Sequence, residues 1–472
     1  MAKTQTVYSC QNCGAQTPRW QGRCAECGEW NTLVEDRIQK TAITKTSTKN
    51  GASGFGSGGA TASARAFGAT KKLFDELESE IGKRKRVSSG MSEANRVLGG
   101  GFVPGSVLLF GGEPGIGKST LLLQMIGHLA SGEGLKCLYL SGEESGPQVA
   151  ARAARLRVPR GENLHFLAST DLEEAIHALN TLEPMAVVVD SVQTFAAPDL
   201  ESAAGTVSQI RRVTQVFMEY AKSRGALVFL VGHVTKEGVV AGPRLLEHMV
   251  DGVFYFENSA TGAYRMLRGQ KNRFGATNEL AVFEMNAWGL SQVENPSQRF
   301  LMERAKDSPG SAIVAHMEGS RPFLTEVQSL TQKCYAGYPR RTVQGVDQNR
   351  VSLLLAVIDR ALGMSISDYD VYCKVASGAR IDEPASDLAI LCSLVSAAQG
   401  KSLPADAIFI GEVGLGGELR SVSNISARLG EAKTVGVTRA FIPKWNAKEA
   451  REVRDIKIIE CATVGDALSK SS

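Results

Sequence analysis

No stretch of this chain approaches 18 uninterrupted apolar residues, and its N-terminus carries no apolar signal core. A membrane-spanning helix and a secretory leader are therefore not expected, and a cytoplasmic location is. Net charge is also small: 53 Lys and Arg against 49 Asp and Glu leave +4, so no global basic field announces a nucleic acid partner. No internal repeat is visible. Cysteine is sparse outside one cluster; four of the nine form two C-x2-C pairs and five are scattered, which suits a reducing compartment. At 472 residues the chain has room for two or three domains with cores of their own.

The modest net charge is unevenly spread. From Arg37 to Lys72 there are seven Lys or Arg and no acidic residue, and Lys83 to Arg86 adds a second basic knot. Such runs read either as a solvated tether or as a polyanion contact. Residues 40 to 68 are rich in Gly, Ser, Thr and Ala with hardly any large apolar groups; they cannot bury a core and read as linker. Short apolar runs then alternate with helical patterns: Ser106–Phe110, Cys137–Ser141, Ala186–Asp190, Ala226–Val231 and Gly252–Phe256. That alternation predicts a parallel sheet flanked by helices, an α/β class. The expected division is a four-cysteine module at 1–30, a basic linker at 31–70, a nucleotide domain at 71–290, a connecting segment at 291–345, and a second α/β domain at 346–472. In the last of these, Val351–Leu362 reads as helix, and Ala407–Ile410 and Ala440–Ile442 as strands.

Cys10-x2-Cys13 and Cys24-x2-Cys27 are separated by ten residues, and each pair is followed by glycine, Gly14 or Gly28. Four thiolates suit Zn²⁺ in a closed structural site. Two disulfides and a rubredoxin-type iron site are the competing readings. About thirty residues cannot support themselves by burial, so metal would supply their folding energy. Trp20, Arg19, Arg23 and Trp30 serve equally well as nucleic acid contacts or as core aromatics and solvated charge.

The stretch Gly112, Glu113, Pro114, Gly115, Ile116, Gly117, Lys118, Ser119 fits G-x4-G-K-[ST] between an apolar strand-like run and the leucine-rich run Thr120–Ala130. Strand, glycine loop and helix start surround one anion with backbone N–H groups. Lys118 would reach the β- and γ-phosphates of ATP, and the Ser119 hydroxyl would hold Mg²⁺. Asp190 ends an apolar strand where a second carboxylate for Mg²⁺ belongs. Glu143, and after it Glu144, follow the strand-like run CLYLS, where a carboxylate could take the proton of an attacking water. His233 and Thr235 sit where a polar group could sense the γ-phosphate, or serve structurally.

These motifs in succession resemble the RecA-type core of recombinases and hexameric helicases. With Lys271-Asn-Arg-Phe-Gly275, the cysteine module and the C-terminal segment, the chain resembles the RadA (Sms) family of bacterial DNA repair proteins nearly end to end. That resemblance implies a DNA-dependent ATPase, a homo-hexameric ring on single-stranded or branched DNA, and work beside the RecA recombinase. Lys271 and Arg273 would reach the γ-phosphate of a neighbouring subunit or grip DNA phosphate. Residues 192–206 and 233–244 fall where ring proteins present DNA-binding loops, with Lys236 and Arg244 as candidate contacts.

From Asp370 onward the chain resembles the proteolytic domain of Lon. The nucleophile of that family lies in a G-P-S-A-type turn; here the turn is Asp382-Glu-Pro-Ala-Ser386, with Ala385 in the serine's place and Ser386 one position late. The activating lysine's place falls near Ser426, in Ser423-Asn-Ile-Ser426. A Ser–Lys dyad needs both groups, so the expectation is a domain without protease activity, used for assembly or DNA binding. Arg340, Arg341, Arg350, Lys374 and Arg380 are its basic candidates. Two other readings compete with the DNA motor. One is an ATP-dependent protease using Ser386; the other is a RecA-like scaffold, similar to circadian-clock ATPases, that does not translocate.

Overall fold

In the computed structural model the described residues are 4–10, 16–26, 28–39, 85–159, 161–233, 244–259, 262, 264–302, 304–305, 307–335, 337–376 and 379–471. Two compact units divide the chain: Met1–Phe256 with Arg268–Thr277 and Asn286–Leu290, and Glu257–Leu267 with Asn278–Met285 and Ser291–Ser472.

The N-terminal strands are β1 (Thr4–Cys10), β2 (Gln16–Thr17) and β3 (Leu33–Gln39), in the order β2-β1-β3. β1 and β3 pair antiparallel from Thr4↔Gln39 to Cys10↔Leu33. β3 thus falls in the stretch expected as linker, because β1 needs a hydrogen-bonding partner that a 30-residue module lacks.

The nucleotide domain carries β4 (Val107–Gly112), β5 (Cys137–Ser141), β6 (Leu164–Ala168), β7 (Ala186–Asp190), β8 (Leu227–His233) and β9 (Gly252–Asn258). β10 (Tyr264–Asn272), β11 (Leu280–Asn286) and β12 (Gly289–Gln292) follow. The nine strands run β12-β11-β10-β9-β4-β8-β7-β5-β6, and the register from β9 to β6 is parallel throughout. Helices cover both faces, so β4, β5 and β7 are buried at every residue and read as unbroken apolar runs rather than alternating ones. The helix Val207–Arg224 shows why: Ile210, Val213, Phe217 and Ala221 recur at helical spacing and are all buried against the sheet. Asp190, Ser141, Gly112 and His233 end their strands on one side, the carboxyl edge where ligands bind in open α/β sheets.

In the second unit β13 (Ser311–Glu318), β14 (Arg321–Lys333), β15 (Arg341–Gln344), β16 (Tyr369–Val375), β17 (Ala407–Phe409), β20 (Arg439–Pro443) and β21 (Lys457–Cys461) form one sheet. Its order is β15-β16-β14-β13-β17-β20-β21, and β18 (Glu412–Val413) pairs separately with β19 (Leu419–Arg420). Residues 311–344, expected as connection, thus contribute three strands. The helix Asp387–Gln399 is buried from Asp387 to Ser396, which is why its apolar residues surround it instead of forming a stripe. No helix among the described residues is long and apolar enough to cross a membrane.

Candidate nucleotide site

β4 hands the chain to the glycine loop, and the helix Lys118–Ser131 leaves it. The first helical hydrogen bond runs from Leu121 N to Gly117 O. The N–H groups of Lys118, Ser119 and Thr120 therefore have no intrahelical acceptor and face the loop's concavity. Gly115 has φ +76°, and a Cβ added there would meet nothing within 4 Å; the loop bends through a left-handed residue around open space. These features fit a phosphate group.

Lys118 is 4% exposed. Its Nζ donates to Gly112 O at 2.8 Å and to Glu113 O at 2.9 Å, and lies 3.4 Å from His233 Nδ1. Burial lowers its pKa, while the charges of Asp190 and Glu143 oppose that shift. An ammonium has only donors, so His233 Nδ1 accepts and its Nε2–H donates to Glu143 Oε1, at 2.9 Å. Ser191 Oγ donates to the same oxygen at 2.6 Å. Glu143 is held down to about 2, first by the His233 hydrogen bond and then by Ser191 and the charge of Lys118, with burial opposing. Asp190 is buried, and its Oδ2 accepts the Tyr139 hydroxyl at 2.6 Å. Lys118, Glu143, Asp190 and His233 therefore converge, with Ser119 in the first turn of the loop's helix.

Glu144 is diverted. Its carboxylate is paired with Arg152, and its backbone N–H donates to Ser141 Oγ at 2.9 Å. Thr235 and Lys236 lie outside the described residues, as does the side chain of Arg244.

Lys271 and Arg273 are engaged elsewhere. Lys271 Nζ donates to Glu247 O at 2.6 Å and Val250 O at 2.8 Å, closing the C-terminal end of the helix Arg244–Met249. Arg273 NH1 lies 3.3 Å from Asp251 Oδ1, and its backbone N–H donates to Asp251 O. Buried Asp251 also accepts from Lys222 Nζ at 2.6 Å and from the backbone N–H of Val107, the first residue of β4. Five strand steps separate Val107 from Gly112, roughly 17 Å at the usual rise. Within one subunit, then, these two cations sit at the amino end of the strand whose carboxyl end forms the phosphate loop. Arg273 remains 57% exposed. The rest of the motif is structural: Asn272 Nδ2 donates to Val97 O at 3.2 Å, and a Cβ on Gly275 would come within 2.9 Å of Gly99 Cα. Only glycine permits that approach.

Ser191, Tyr139 and Asp251 were not singled out from sequence. A signal existed for Tyr139, because a tyrosine in a strand buried on both faces must find a partner for its hydroxyl.

In the N-terminal module Cys10 and Cys24 are both buried. Gly28 N donates to Cys24 O at 3.0 Å in a turn with φ +75° at Gly28. Two buried thiols, one at the end of β1 and one beside the turn that precedes Gly28, fit a thiolate metal site. Cys13 and Cys27 lie outside the described residues.

Family models match an AAA domain at residues 84–239, a rubredoxin metal-binding domain at 8–35, and the Lon protease C-terminal proteolytic domain at 359–470. The DNA repair protein RadA of Bacillus subtilis strain 168 is 46% identical over 472 residues, covering 100% of this chain and 99% of its own. The chain belongs to the RadA family. The RadA protein of Pseudomonas aeruginosa is likewise 46% identical over 451 residues, with 95% of each chain covered. Family membership with an AAA domain makes this a DNA repair ATPase, with a nucleotide site in the RecA-like core and a metal-binding N-terminal ribbon.

As in its family, the Lon-type domain is not a protease, and the structure shows what occupies the relic. Ala385 and Ser386 are buried in the turn Pro384–Ser386. Ser386 Oγ donates inward to Glu383 O at 2.7 Å, and Ser426 Oγ to Glu449 O at 3.1 Å. Arg428, fully buried, forks onto both oxygens of Glu383, at 2.5 and 2.7 Å, and donates to Ala315 O. This pair joins the turn that would carry the serine to the helix Ile425–Thr434 that would carry the lysine. Burial meanwhile pushes Asp387 up to about 6 against the pull of Arg350. Removing one partner of such a pair leaves an uncompensated charge. Glu383→Ala should destabilise the second unit by about 3 kcal/mol, read from its urea midpoint. A double Glu383→Leu, Arg428→Met change should cost less than Glu383→Ala alone.

Proposed function

We propose that this chain is an ATP-driven motor acting on DNA recombination intermediates as a cytoplasmic homo-hexameric ring. Residues Gly112 to Thr120 hold the triphosphate. Lys118 turns from the carbonyls of Gly112 and Glu113 to the β- and γ-phosphates, while Ser119 and Asp190 hold Mg²⁺. Bound Mg²⁺ neutralises charge developing on the transferred phosphoryl group. Glu143 takes the proton of the attacking water. His233 touches both Lys118 and Glu143, so it links phosphate occupancy to the freedom of the base; it also begins the segment 233–244 expected to meet DNA. In the N-terminal ribbon Cys10, Cys13, Cys24 and Cys27 hold Zn²⁺.

One observation carries this reading: Lys118, His233, Glu143 and Ser191 form a continuous hydrogen-bonded series at the carboxyl edge of the sheet, with Asp190 beside them. We read Arg273 as acting on a neighbour or on DNA; its exposure and its distance of some 17 Å along β4 from its own loop support that reading.

The test is the ATPase rate with and without single-stranded DNA, beside branch migration of a forked substrate with RecA present. DNA-stimulated turnover with strand exchange is expected. Stimulated turnover without migration would favour the scaffold reading. Arg273→Ala should lower DNA-stimulated turnover by about 10³-fold or more with an unchanged melting temperature. Full activity in that variant would remove the motif's proposed role.

A further inference from the structure

We infer that Tyr139 is a positioning residue for Asp190, presenting one fixed carboxylate oxygen to the divalent cation; this rests on the reading of Asp190 given above. Tyr139 lies in β5, paired in register with Val188 of β7, and Ser141 is paired with Asp190. In a parallel ladder, residues two apart share a face, so the Tyr139 side chain stands on the Asp190 face, one pleat behind it.

Its geometry leaves little freedom. Tyr139 is 1% exposed and its ring stacks on Phe166, with centroids 6.4 Å apart. The hydroxyl reaches Asp190 Oδ2 at 2.6 Å, the length of a charge-assisted bond. The terminal torsion of aspartate is broad and roughly two-fold, so an unsupported Asp190 could turn either oxygen toward the phosphate loop. A phenol has one proton to donate, and giving it to Oδ2 leaves Oδ1 for the cation. Phenylalanine fills the same volume and packs on Phe166, but donates nothing. Groups that orient metal ligands typically matter by 10- to 100-fold in metal affinity.

The experiment uses the full chain as wild type, Tyr139→Phe and Asp190→Asn. Mn²⁺ replaces Mg²⁺ so that binding in the presence of ADP can be followed by electron paramagnetic resonance. ADP affinity in EDTA and melting temperature are measured on the same samples. Tyr139→Phe is expected to weaken Mn²⁺ by about 10- to 100-fold, with metal-free ADP affinity and melting temperature held. An unchanged Mn²⁺ midpoint, or a lowered melting temperature without a Mn²⁺ shift, overturns the inference and leaves a packing role. Asp190→Asn separates the two levels. If it loses Mn²⁺ while Tyr139→Phe does not, only this inference falls. If Asp190→Asn itself binds Mn²⁺ like the wild type, the reading of Asp190 falls with it.

Discussion

Lys118→Ala is expected to reduce ATP turnover by about 10³-fold, to the level of background hydrolysis. The side chain is buried and its ammonium is already held by two backbone carbonyls of the loop. It is therefore already held at the loop, and it meets a phosphate by exchanging those carbonyl acceptors for phosphate oxygens. Preorganised cationic donors aimed at developing charge are typically worth 10²- to 10³-fold each, and this one also contributes to binding the nucleotide. The variant should fold, because alanine removes a charge that burial disfavours. Phosphate release and equilibrium binding of a fluorescent ATP analogue would both be measured. Retained hydrolysis in Lys118→Ala would sink the motor assignment.

Glu143→Gln is the second large effect, with a different signature: ATP bound, turnover down by about 10²- to 10⁴-fold, the range for loss of a general base. Glutamine keeps an oxygen that can accept from Ser191 and His233, so the local structure should survive. What disappears is the ability to take a proton. In this structure hydrogen bonds from His233 and Ser191 hold the Glu143 carboxylate down to about 2. Glu144→Gln is the control, since its carboxylate is committed to Arg152. Equal losses in the two variants would show that Glu143 has no special role.

The nucleotide half was legible because its strands are short and buried on both faces. Cys137–Ser141 and Ala186–Asp190 coincide with the runs read from composition, and each delivers its polar residue at the strand end. Other features needed three dimensions. The hairpin of β13 and β14 falls in the stretch expected as a connecting segment. Pro322 sits one residue inside β14, opposite Met317, next to the Gly319–Ser320 turn. Lys271 and Arg273 were legible as a basic motif, but their partners were not. Glu247, Val250 and Asp251 meet them only because β9 and β10 are adjacent in the sheet. Ser191 likewise has meaning only through Glu143, which comes from another strand's loop.

A Lon-type interior of this kind cannot be returned to peptide cleavage by restoring two side chains. Serine at 385 and lysine at 426 would arrive on segments that Glu383 and Arg428 already fasten together, and removing either partner strands a charge in the interior. Reopening a cleft there means undoing that pair, and so passes through a weaker fold. What the family of folds uses as a cleft is here a seam.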